Sequence, residues 1–111
     1  MNVEQFIYAI QKRPGMYVGC MELEPIVHFI NGFMLNNFIS KRVDIVEKKF
    51  KEEFHDWVRE QLEKRYNIEL EEHHDYLFYI TEVSQNSEEE LNIFFELCNE
   101  FFREFYKKEN D

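Results

Sequence analysis

The chain has 111 residues, 23 of them Asp or Glu and 13 Lys or Arg, for a formal charge of −10. Its length suits one domain over residues 1–111, and 44% apolar content with three Gly and two Pro argues against disorder. No charge-free run reaches the roughly 18 residues a membrane helix needs. The start, Met-Asn-Val-Glu, lacks the basic-then-apolar signature of a secretion signal, so the expected location is the cytoplasm, with no membrane partner.

A first helix is expected over residues 2–13. Asn2 can cap it with Gln5 three residues on, and Val3, Phe6, Ile7 and Ile10 recur at helical spacing. Pro14-Gly15 should stop it, leaving Met16-Tyr17-Val18 as a short extended patch. A second helix is expected over 24–39, with Pro25 at its first position, where a missing N–H breaks nothing. Ile26, Val27, Ile30, Phe33, Met34 and Phe38 give it a wide apolar face and suggest a central place. Gly32 inside it suggests close packing against a neighbour.

From residue 44 to 66, Val46, Phe50, Phe54, Trp57, Val58 and Leu62 keep the helical period opposite a charged face. Such a length invites a break near His55. Residues 67–75 read as a polar, acidic loop. Residues 76–80 have strand-like composition. Yet Tyr76, Tyr79, Ile80 and Val83 fit helical spacing and no second strand exists to pair with them, so a helix is expected. The last helix, residues 87–107, opens with a Ser87/Glu90 capping box, and Glu88 and Glu89 suit the positive end of its dipole. Its stripe of Leu91, Phe94, Phe95, Cys98, Phe101, Phe102 and Phe105 belongs to the core, with any surplus available for a groove or dimer face. The expected fold is therefore all-α, one compact domain of five helices.

Charge is distributed unevenly. Residues 1–65 hold ten basic and ten acidic side chains, whereas residues 66–111 hold three and thirteen. Clustered carboxylates attract basic partners and repel polyanions, so a basic protein is the expected partner and nucleic acid is not. Glu88 to Glu90 are explained by the helix start. Glu96, Glu100 and Glu104 stand one turn apart, where like charges repel, and a ridge with no local compensation points to function.

Catalytic signals are weak. Cys20 and Cys98 do not make a disulfide framework, and Cys98 lies on the apolar stripe of the last helix. His73-His74 beside Glu71, Glu72 and Asp75 offers metal-ligand chemistry, but adjacent loop side chains rarely converge on one ion. No Ser or Cys stands in a recognisable pattern with a His and a carboxylate. No catalytic residue, metal or cofactor is expected.

Lys12-Arg13-Pro14-Gly15-Met16-Tyr17-Val18-Gly19 is similar to a segment of type II topoisomerase ATPase subunits, but the nucleotide motifs of those domains are absent, and no ATPase is expected. A wider pattern joins the Arg13-Pro14-Gly15-Met16-Tyr17 turn, Ile30-Asn31-Gly32-Phe33, Phe54-His55-Asp56-Trp57-Val58 and Phe94-Phe95-Glu96-Leu97. It resembles small bacterial immunity proteins found with polymorphic and contact-dependent growth inhibition toxins, and departs from them around residues 76–79. The resemblance implies a protein that binds a cognate toxin and blocks it without chemistry. On that reading the expected contact residues are Glu69, Glu71, Glu72, Asp75, Glu82, Glu96 and Glu100, with Tyr76 or Tyr79 as aromatic anchor. The alternative is an acidic DNA mimic or regulator acting on a DNA-binding enzyme. Self-association is left open.

Overall fold

The computed structural model describes residues 1–13 and 22–110. Over these residues the chain forms five helices and no strand: α1 Val3–Lys12, α2 Leu23–Ile39, α3 Ile45–Tyr66, α4 Tyr76–Val83 and α5 Ser87–Asn110. The all-α, five-helix expectation holds, including the helix at residues 76–83. The Pro14-Gly15 stop, the Met16-Tyr17-Val18 patch and Cys20 lie outside the described residues.

Local chemistry sets most of the boundaries. The Asn2 side chain accepts from the Gln5 N–H at 3.0 Å while the Gln5 side chain accepts from the Asn2 N–H at 2.9 Å, closing the expected capping box. Asp44 caps α3 through the Glu47 N–H (2.9 Å), and Asp75 caps α4 through the Phe78 N–H (2.8 Å). Helix α3 ends where Asn67 turns left-handed at φ 53°. The caps of α1 and α3 are tied together, since the Asn2 amide donates to Asp44 at 2.8 Å.

Several sequence expectations change. Helix α2 begins at Leu23, so Pro25 is its third residue; the first four N–H groups of a helix lack internal partners, so the cost is still nil. Helix α3 runs unbroken through His55, because it contains neither Pro nor Gly and Val46, Phe50, Phe54, Val58 and Leu62 bury one continuous stripe. The cap of α5 is Asn86, whose side chain accepts from the Glu89 N–H at 2.9 Å, one residue ahead of the expected Ser87. Gly32 is exposed, and a Cβ there would meet nothing within 4 Å, so it marks no close approach.

Helix α2 packs on α1, α4 and α5, as a central helix should, but the largest share of the core comes from α5. Helix α5 packs on α2, α3 and α4 and buries Ile93 and Leu97 in addition to its expected stripe. Helix α2 buries Leu23, Ile26, Val27 and Ile30, but its last turns lie on the surface with Phe38 64% exposed. The core beneath is largely aromatic: Phe54 meets Tyr76 edge-on at 5.0 Å and Phe101 at 5.2 Å, and Tyr76 stacks on Phe94 at 5.6 Å. Edge-to-face rings at these distances add stability beyond their buried area. The surplus aromatic surface expected on the 94–105 stripe sits instead on α2, at Phe29 and Phe38.

Candidate functional site

The carboxylates singled out in the sequence sit on three separate elements. Glu69, Glu71 and Glu72 are exposed on the loop between α3 and α4, and Glu82 is exposed on α4. Asp75, though exposed, holds the first turn of α4. Glu96 accepts from the Arg65 guanidinium at 2.7 Å, and Glu100 lies 3.9 Å from the same group. Glu104 accepts from the Trp57 indole N–H at 2.9 Å. The ridge on α5 therefore has local compensation after all. Its carboxylates are a seam to α3, placed there because α5 packs against the helix that carries Arg65 and Trp57.

Tyr76 and Tyr79 are 3% and 0% exposed, so neither offers a partner an aromatic anchor. Helical spacing puts both on the inner face of α4, where burial of a large ring outweighs the call of its hydroxyl for water. Tyr79 organises the acidic loop from within: its hydroxyl donates to the Glu71 carbonyl at 2.6 Å and accepts from the His74 N–H at 3.2 Å. The Tyr76 ring stacks against His55, and its buried hydroxyl has no hydrogen-bond partner among the described residues. Burial pushes the Tyr76 phenol well above its ordinary range.

His55, His74 and the described cysteine make structural contacts. His55 Nδ1 accepts from the Tyr76 N–H at 3.0 Å, which requires a neutral ring; burial, the largest influence, lowers its pKa, against the opposing pull of Asp75 and Asp56. Cys98 is fully buried and its thiol is pushed up, away from the nucleophilic thiolate. His74 stacks on Phe78 at 3.8 Å and lies 3.2 Å from Glu71. Among the described residues, no group of three or more His, Cys, Asp and Glu side chains is placed to hold a metal ion.

A concave surface rich in aromatic and acidic side chains lies between α3 and α5. It is a cleft of about 290 Å³ with Trp57, Phe101 and Phe105 on its floor. Glu52, Glu53, Asp56 and Glu60 from α3 and Glu104 from α5 line it, with Lys49 and Lys108. Lys49 is engaged by Glu53 at 3.1 Å. The half-by-half charge count missed this surface, because the acids of α3 are balanced in sequence by basic residues of which only Lys49 lines the cleft. A usable signal was present: Glu52, Asp56 and Glu60 recur every four residues beside Trp57, which puts three carboxylates in a row on one helix face.

A second surface has the opposite character. At the corner where α2 passes into α3, Leu35, Phe38, Ile39, Val43 and Ile45 are all exposed. The Lys51 ammonium sits 5.3 Å over the Phe38 ring. The exposed charges between Gly32 and Lys51 are Lys41, Arg42, Lys48 and Lys51, since Asp44 is a half-buried cap and Glu47 is buried. Glu47 accepts from the Asn37 amide at 2.7 Å, and burial raises its pKa against the lowering effect of that bond.

Comparison with family models, with curated proteins and with solved structures finds no match to this chain.

Proposed function

We propose that this chain is an immunity-type antagonist, which binds a cognate toxin domain and blocks it by occlusion. The partner is a basic protein, and a nuclease is the kind of toxin whose phosphate-gripping Lys and Arg such a surface would cover. The observation that carries this reading is the net charge of −10 with its carboxylates held outward, on the 69–72 loop and along α3 beside the cleft. Opposed surfaces of that kind speed encounter and select the partner more than they add affinity. The resemblance to immunity proteins supplies the biological setting, which is the cytoplasm of the producing cell. No helix among the described residues is long and apolar enough to cross a membrane.

The test is co-expression with the C-terminal domain encoded by the neighbouring upstream gene, in a cell that this domain kills. Restored growth and a co-purifying complex that dissociates as salt rises are the expected results. A neighbour with no toxic domain, or growth that is not restored, refutes the reading. The row Glu52, Asp56, Glu60 favours one alternative, a DNA mimic presenting carboxylates in place of phosphates. A mimic would antagonise several unrelated DNA-binding enzymes, whereas an immunity protein protects against one toxin.

A further inference from the structure

An acidic surface sets the on-rate, but tight binding requires an anchor side chain buried in a pocket. Tyr76 and Tyr79 are themselves enclosed in the core. The cleft between α3 and α5 combines an aromatic floor with carboxylates, and offers a place to enclose a partner's side chain instead.

We propose that this cleft receives an arginine side chain from a basic partner protein, with the guanidinium laid against Trp57 between the carboxylates of α3 and Glu104. This rests on the reading above and names the residue type that reading requires. The indole is held before any partner arrives. It stacks near-parallel on Phe54 (5.9 Å, 19°), meets the edge of Phe101 at 5.3 Å and donates to Glu104 at 2.9 Å. A ring fixed this way loses little entropy on binding.

Charge then selects the occupant. Glu52, Asp56 and Glu60 form no ion pair or hydrogen bond through their side chains among the described residues, and they repel one another along the helix. A cation over the floor relieves that repulsion and meets the negative face of the indole. Size selects too, because about 290 Å³ lies at the bottom of the range for drug-sized ligands and suits one long side chain. Arginine fits better than lysine, since a planar guanidinium stacks on an aromatic face while donating to carboxylates in its own plane.

The test uses the intact chain and a hexaarginine peptide at low salt. Trp57 is the only tryptophan, so its emission reports the cleft directly. A saturable change in emission is expected, and Asp56→Asn with Glu60→Gln should weaken binding about tenfold, the scale of two surface ion pairs lost together. Glu71→Gln with Glu72→Gln removes the same two charges from the loop and should weaken it less than about twofold, and hexalysine should bind less tightly than hexaarginine. Thermal melts of both variants confirm the fold, since all four positions are exposed. Equal weakening by the two pairs, or an unmoved emission, overturns the proposal in favour of a diffuse field. The toxin assay separates the two claims. Full protection by the Asp56/Glu60 variant removes the cleft and leaves the antagonist. Cleft-specific peptide binding without protection against any toxin removes the antagonist and leaves the cleft.

Discussion

The cleft between α3 and α5 and the corner between α2 and α3 both present apolar side chains beside charge, yet they differ in two respects. The cleft is rimmed mainly by carboxylates and the corner by Lys41, Arg42, Lys48 and Lys51. The floor of the cleft is core turned outward: Phe101 and Phe105 are each 6% exposed, and Trp57 is held by neighbours on both helices. At the corner, Phe38 and Ile39 stand clear of the core, 64% and 69% exposed. A preformed, supported concavity suits an inserted side chain, whereas loosely held apolar surface is covered only by something larger.

Substitutions in the two regions should separate by an order of magnitude. Phe101→Ala removes a ring shared by the cleft floor and the core and should cost about 3–5 kcal/mol, read as a fall in the urea midpoint. Phe38→Ala, at the corner, should cost less than about 0.5 kcal/mol apart from a weak cation–aromatic contact with Lys51. Comparable losses would mean that the corner is packed against something in solution.

His55→Ala leaves the buried first N–H of α4 without its acceptor and should cost about 1–3 kcal/mol. The pH dependence has a definite sign. The folded pKa of His55 lies below its ordinary 6.5, so between the two values the unfolded chain binds more protons. Its contribution is complete above pH 6.5 and is lost as pH falls from there through the folded pKa. The His55→Ala variant should be flatter over that window in denaturant titrations.

Glu47, beneath the corner, acts in the opposite sense. Its folded pKa is raised above 4.5, so the native chain binds the extra proton, and this source of stability is lost as pH rises through the folded pKa. Glu47→Gln keeps an acceptor for Asn37 and removes the buried charge. Above the folded pKa the variant should match or exceed the parent in thermal midpoint, and below pH 4.5 the advantage should vanish.

The smallest effect belongs to the seam. Arg65→Ala breaks an exposed pair with Glu96 and should cost about 0.2–1 kcal/mol, less at high salt. It should also leave Glu96 and Glu100 as available acids, and a resulting gain in on-rate for a basic partner would show that the seam, not the cleft, limits encounter.

Much of the fold is legible in the sequence. The Asn2/Gln5 box, the buried face of α1, the i, i+4 row of α3 and the seven-residue stripe of α5 all rest on local periodicity and capping, which operate within a few residues. Helix α4 was legible for the same reason, through Tyr76, Tyr79 and Ile80. Less could be read about surfaces. The α5 acids looked uncompensated because Arg65 lies 31 residues away from Glu96, and Trp57 is 47 from Glu104. The acids of α3 looked neutralised because Lys48, Lys49 and Lys51 precede them in sequence, yet of these only Lys49 lines the cleft.

Periodicity and composition were enough for an all-α chain with an aromatic interior and an excess of negative charge, since each residue's preference for helix and burial is a property of its own side chain and nearest turns. Which helix supplies most of the core, which tyrosines are enclosed and where the carboxylates meet a tryptophan were decided only by packing. Those outcomes depend on pairs of residues far apart along the chain, and the energy of such a pair exists only once the helices have come together.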